Sequence, residues 1–298
     1  MSTLERTTDQ DAPQIGKAPA SQPTDPGLIE RTIKPSKGWV AIDWNELYQS
    51  RELFDTLILR DVKIRYKQTV FGVAWAIVQP LTNMILFSLI FGSFRGVAPE
   101  GVPYPLFLMA GTVPWTFFTN SVSSAGMSLF GQQHLLTKIY FPRLYIPASV
   151  VGGYLIDLAI GFSLFAILFP IFHYMPTYRL IFLPLIVLLT FAAAFGLGLV
   201  MAAITILFRD LRFIIPYILQ LMMFASPIFW QPSALPKKVQ FVVALNPVSG
   251  IISAYRWSIL GLPLDVSGLL MSIAVTTAVL IFGLFFFRKT ERFFADLL

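Results

Sequence analysis

The sequence predicts an all-α, polytopic membrane protein: six transmembrane helices, an N-terminal amphipathic interface helix, and two short re-entrant helices before the last span. Three observations carry that prediction. Six apolar stretches, at about 70–94, 104–126, 144–169, 180–207, 213–229 and 266–287, approach or exceed the roughly 20 residues a helix needs to cross a hydrocarbon core. Hydrophobic residues make up 56% of the chain and charged residues 13%, against about 25% charged in an ordinary soluble domain. The cations are also unevenly placed. From Arg60 onward, eleven Lys and Arg residues fall on the side that receives Arg60, Arg143, Arg209 and Arg288, and five fall on the side of Arg95, Arg179 and Arg256. Cytoplasmic loops carry the excess of Lys and Arg, so both termini are expected in the cytoplasm. The net charge of +6 is thereby read as membrane orientation and not as a nucleic-acid footprint.

Three regions are expected. Residues 1–38 are rich in Thr, Asp, Gln and Pro and lack the apolar core of a signal peptide; they read as a disordered cytoplasmic tail. Region 39–68 holds the interface helix. From Trp44 to Lys67, residues Gln49, Glu52, Thr56, Arg60 and Lys63 fall on one side of a helical wheel, with Leu47, Phe54, Ile58 and Val62 opposite. Such a helix is too polar to span and suits the bilayer surface, where it either docks on lipid alone or also meets a cytoplasmic partner. Arg51, Asp61 and Arg65 interrupt its apolar side. Residues 69–298 are expected to form the six-helix transmembrane domain, with a re-entrant segment at about 230–263.

Within that domain, the first stretch groups Gln79, Pro80, Thr82 and Asn83, amides that face protein or a wet path sooner than lipid. The second carries Tyr104, Trp115, Phe117 and Phe118 and ends in Asn120, Ser121, Ser123 and Ser124. Tyr104 suits an interfacial belt; Trp115 lies too deep for one. The third holds Asp157. An ionisable residue inside a span is a functional candidate, but with no basic partner in the spans a hydrogen bond to a neighbouring helix is the expectation. In the fourth, Ala194 and Gly198 have the spacing that lets two helices approach closely, with the same chain or another. The short turn Phe208-Arg209-Asp210-Leu211-Arg212 forces the fourth and fifth helices into a hairpin. Between Trp230 and Pro263, two apolar pieces, about 239–245 and 248–260, are split by Asn246-Pro247. Each is too short to cross, and a structureless loop of that length is uncommon, so both are expected to dip into the outer leaflet.

Much chemistry is excluded. The chain has no cysteine, hence no disulfide or thiolate metal site, and its two histidines, His134 and His173, lie outside the stretches. There is no P-loop, nucleophile elbow or zinc-protease motif, and no paired-acid site. Few titratable groups occur in the spans, so ion coupling has little to act on, and no repeat relates the two halves. What remains is a pathway with aromatic walls and basic elements suited to another protein: a transport subunit driven by a partner.

The runs Arg60-Asp-Val-Lys-Ile-Arg-Tyr-Lys-Gln-Thr69, Phe71-Gly-Val-Ala-Trp75 and Gln79-Pro80 make the sequence resemble the membrane permeases of bacterial polysaccharide exporters. These belong to the type 2 class of ATP-binding-cassette transporters and export O-antigen, capsule or teichoic-acid chains. Gly111-Thr-Val-Pro-Trp115, Leu136-Thr-Lys138-Ile-Tyr140-Phe-Pro142-Arg143, Phe208-Arg209-Asp210, Ser226-Pro227-Ile228 and Leu245-Asn246-Pro247 extend the resemblance from about Trp44 to the C-terminus. It implies two copies of this chain working with two separate ATPase subunits, which bind ATP and its Mg; this chain itself takes no cofactor. It implies an inner-membrane protein whose substrate is a lipid-linked polysaccharide, often on a polyprenyl diphosphate. Trp75, Tyr104, Trp115, Phe118 and Tyr154 are then candidates for the channel wall, formed by the first and third spans with aromatics of the second at the interface of two copies. Arg60, Lys63, Arg65 and Lys67 are candidates for the carrier phosphates. Lys138, Tyr140, Arg143, Arg209, Asp210 and Arg212 are candidates for coupling to the ATPase. Two other readings stay open: a type 2 permease for a small molecule such as a drug or haem, and, more remotely, a membrane enzyme that modifies lipid or glycan.

Overall fold

A computed structural model of the chain describes residues 48–67, 74–92, 99–132, 141–231, 236–291 and 294. The tail 1–38 and the coupling candidates Lys138 and Tyr140 lie outside them. Among the described residues every regular element is helical: α1 (Arg51–Lys67), α2 (Ala74–Phe91), α3 (Tyr104–Gly131), α4 (Tyr145–Ile171), a 3₁₀ turn (Tyr178–Phe182), α5 (Leu183–Leu207), α6 (Leu211–Ala225), α7 (Lys237–Ala244), α8 (Pro247–Leu260) and α9 (Val266–Thr290). Six of these helices stand where the six apolar stretches predict them. Among the described residues, four segments are both long and apolar enough to cross a bilayer: Ala74–Phe91, Tyr145–Ile171, Tyr178–Leu207 and Val266–Thr290. The 28-residue α3 is long enough but diluted by Ser, Thr and Gly, and α6 has 15 residues.

Local signals set the ends of these helices. Pro103 precedes α3 and Pro105 lies in its first turn, where a missing N–H costs nothing. The Asn246 side chain accepts from the Val248 amide at 3.1 Å, with Pro247 as the first residue of α8; Asn at the N-cap followed by Pro is a helix-start signal. Gly261 closes α8 in the left-handed conformation, φ 72°, which costs a glycine little. Asp265 caps α9 by accepting from the Gly268 amide at 3.0 Å. The split at Asn246-Pro247 is thus a true helix boundary, and both pieces of the 230–263 region are short helices.

The core is centred on α3 and α5. The inner face of α3, including Phe107, Trp115, Phe118 and Val122, is buried, and α3 packs on α4 and α5. Small residues permit this closeness. A Cβ added at Gly198 of α5 would lie 2.9 Å from the Cβ of Ala125 on α3, and one at Gly196 would lie 2.7 Å from the Leu280 Cα on α9. The close-packing face of α5 therefore serves contacts within the chain. Helix α8 is not peripheral: Val248, Ile251, Ile252, Tyr255 and Ile259 are buried against α3, α5 and α9. At one end of the bundle a second cluster joins Leu57 of α1, Leu129, Tyr145, Ile206, Phe287 and Phe294.

Candidate functional site

Helix α1 lies on α4. Its apolar side, expected to rest on the bilayer surface, also covers the chain itself: Leu57 is buried, the Phe54 and Tyr145 rings are 5.1 Å apart, and Ile58 reaches Gly152. Two of the three residues that break the apolar stripe, Asp61 and Arg65, clamp the two helices, while Arg51 donates to the Tyr48 hydroxyl at 2.9 Å. Asp61 accepts from the Ser149 hydroxyl at 3.1 Å and from Arg60 at 2.7 Å. Arg65 meets the Asp157 carboxylate at 2.5 Å, reaches the Gly153 carbonyl at 3.5 Å, and sets its guanidinium 3.5 Å from the centroid of the Tyr154 ring. The Tyr66 hydroxyl donates to the other Asp157 oxygen. Burial and the adjacent Asp157 carboxylate push Tyr66 above the usual tyrosine range, so its phenol keeps the proton it donates. Asp157 is hydrogen-bonded to a neighbouring helix, as expected, and its basic partner comes from α1, outside the spans.

Beside this clamp α1, α2, α3 and α4 leave a cleft of about 330 Å³ lined by Arg65, Tyr66, Trp75, Gln79, Thr116, Asn120, Tyr154 and Asp157, together with Val113, Phe117 and Gly161. Two of the five aromatic candidates meet here: Trp75, 55% exposed, and Tyr154, whose hydroxyl is 2.7 Å from Ser124 Oγ. Trp115 and Phe118 are placed elsewhere. They are buried in the chain's own core with ring centroids 5.8 Å apart. Tyr104 stands at the far end of α3, donating to the Phe229 carbonyl at 3.3 Å. The four carrier-phosphate candidates on α1 divide likewise: Arg60 and Arg65 are matched by Asp61 and Asp157, while Lys63 and Lys67 are exposed.

Near Tyr104 lies a residue that sequence reasoning counted only as an outer cation. Arg256 of α8 is 4% exposed. It donates to the carbonyls of Pro227 at 2.7 Å and Ile228 at 2.6 Å, and its guanidinium lies 3.5 Å from the Phe107 centroid. Ser226-Pro227 ends α6 and leaves carbonyls without helical partners; that break is the signal for a buried donor nearby. Asn246 completes the junction by donating to Ser226 Oγ at 2.7 Å.

The described coupling candidates sit at turns. Arg209 and Asp210 are exposed in the link between α5 and α6, and Arg212 is exposed at the start of α6, its guanidinium 4.6 Å from the Phe213 ring centroid. Arg143 precedes α4, donates to the Glu291 carbonyl at 2.7 Å, and lies 6.0 Å from the Phe294 ring centroid. It therefore ties the start of α4 to the end of α9. No group of three or more acidic or histidine ligands that could hold a metal ion occurs among the described residues.

Residues 52–260 match the family model described as ABC-2 type transporter. The chain is 30% identical over 241 residues to the O-antigen export system permease protein RfbA of Myxococcus xanthus, covering 80% of this chain and 92% of that protein. It is 28% identical over 257 residues to an O-antigen export system permease protein RfbA of Klebsiella pneumoniae, covering 84% and 98%. It is 23% identical over 240 residues to the polysialic acid transport protein KpsM of Escherichia coli, covering 80% and 93%. From α1 to the end of α8, the clamp, the cleft and the broken α6–α8 junction all fall inside the matched segment, and the chain belongs to the ABC-2 type transporter family.

Proposed function

We propose that this chain is the membrane-spanning permease of an ATP-driven exporter that moves a lipid-linked polysaccharide, of O-antigen or capsule type, across the bacterial inner membrane. The observation that carries this reading is the match to O-antigen export permeases along nearly their whole length. The chain crosses the membrane six times with both termini in the cytoplasm, α3 and α6 joining the four longer apolar segments, and α7 and α8 re-entering from the outer side. Two copies form the path, and two ATPase subunits, which bind ATP and Mg, drive it. The exposed Arg209, Asp210 and Arg212, with Lys138, Tyr140 and Arg143, receive the ATPase; charged and aromatic groups supply the directional bonds and anchors such a contact needs. α1, clamped to α4 through Arg65 and Asp157, carries the motion into the membrane as a rigid element.

Trp75 and Tyr154 form the exposed part of the aromatic wall, Tyr104 its outer end, and Trp115 and Phe118 its backing. Aromatic faces attract the polarised C–H groups of sugars weakly at each step, which lets a polymer slide. Lys63 and Lys67, exposed on α1, meet the carrier phosphates, with Arg60 and Arg65 behind them. The test is a strain lacking this chain. Surface polysaccharide should disappear, lipid-linked glycan should accumulate inside, and wild-type chain should restore export only with its ATPase present. Unchanged surface glycan, or movement of cargo by the purified chain alone, would overturn the reading.

A further inference from the structure

We propose that the cleft between α1, α2, α3 and α4 is a seat for one or two uncharged sugar residues, built within a single chain where Trp75 and Tyr154 of the proposed aromatic wall meet neutral polar groups. It rests on the export reading and names a binding site for the glycan itself.

Charge decides against a phosphate. The only charged groups lining the cleft are Arg65 and Asp157, and they neutralise each other at 2.5 Å. A phosphate would have to compete with a carboxylate already in place. The remaining polar lining is neutral: Tyr66, Gln79, Thr116 and Asn120. Among the described residues, the side-chain amides of Gln79 and Asn120 have no hydrogen-bond partner. Gln79 is exposed and Asn120 half-buried, and both line the cleft, so their amides are open to a ligand that carries hydroxyls. Those amides can each donate and accept, as hydroxyl pairs of a sugar require. Trp75 and Tyr154 add the apolar platform against which a pyranose lays its C–H face. The volume, about 330 Å³, is at the low end of small-ligand sites, roughly 300–1,000 Å³. A lipid tail would fill the space but leave both amides unpaired.

The chain lacks cysteine, so a single introduced thiol reports cleanly. Ala76 lines the cleft without offering a polar contact. Ala76→Cys should be labelled by a small maleimide more slowly in cells making the polysaccharide than in cells in which its synthesis is switched off. Glu52→Cys, exposed on α1, should be labelled equally in both. Adding Trp75→Leu or Asn120→Leu to Ala76→Cys should abolish the protection. Equal labelling with synthesis on and off, protection that survives both added substitutions, or protection of the purified complex by inorganic diphosphate alone would each overturn the seat. Export by wild-type chain, scored in parallel in the strain lacking it, tests the function separately: restored export with an unprotected Ala76→Cys sinks the seat and leaves the function standing.

Discussion

Breaking the clamp between α1 and α4 gives the most quantitative check. Asp157→Ala removes the acceptor of both Arg65 and Tyr66; Arg65→Ala removes the cation and leaves Asp157 with only the phenol. Exposed ion pairs are worth about 0.2–1 kcal/mol, whereas losing one partner of a fully buried pair costs about 3–5 kcal/mol. The Arg65 and Asp157 side chains are 25% and 23% exposed, so each single substitution should cost about 2–3 kcal/mol. Arg65→Ala should cost about 1 kcal/mol more, because it also gives up the Tyr154 ring. In the double variant the pair is lost once and not twice, which predicts a coupling energy of about 1–2 kcal/mol. Unfolding of the purified chain in mixed micelles by added sodium dodecyl sulfate, followed by circular dichroism, measures all four corners of the cycle. A coupling energy within about 0.5 kcal/mol of zero would refute the clamp.

Three further outcomes are expected. Gly196→Val would push a branched side chain onto the α9 backbone at Leu280, since even a Cβ would lie 2.7 Å from Leu280 Cα; the overpacking should cost about 1–3 kcal/mol, read as a lower melting temperature, and a variant as stable as wild type would contradict the α5–α9 contact. Arg256→Ala leaves two carbonyls unpaired and strips the Phe107 face, a loss of about 3–5 kcal/mol; Arg256→Lys should rescue only part of it, because a point-charge ammonium cannot reproduce the planar fork, and full rescue in the same melt would argue against the stacked geometry. Arg209→Glu should weaken copurification with the ATPase while leaving the melting temperature unchanged, since Arg209 is exposed at a turn; intact association would remove it from the docking surface.

The helices were legible because hydrocarbon demands long apolar runs, and the runs and helices coincide within a few residues wherever a proline or glycine marks an end. The second stretch shows the limit of that reading: α3 runs on to Gly131 because its Ser, Thr and Gly residues pack against protein, which needs less hydrophobicity than facing lipid. The clamp was half legible. Asp61 and Arg65 sat on the wrong side of α1, and Asp157 sat inside a span, but nothing in one dimension says that two misplaced charges belong to each other. The aromatic candidates separated for a related reason. Composition marks Trp75 and Trp115 alike, and only packing tells that one is 55% exposed and the other 4%. Arg256 was missed because a charge count assigns it to a membrane side and cannot see the carbonyls freed by Ser226-Pro227.

The far end of the bundle is stitched across its loops. Tyr174, just after α4, donates to the Leu260 carbonyl at 2.6 Å; Arg179 donates to the Gly261 carbonyl at 3.1 Å; and Ser258 donates back to the Arg179 carbonyl at 2.9 Å. Each thread is modest, about 1 kcal/mol, but all would have to snap before the tip of α8 could swing free of the α4–α5 corner. Any outward movement at this end must therefore carry the tip of α8 and the α4–α5 corner together, as a tilt of one stiff plate and not the flap of a loose rim.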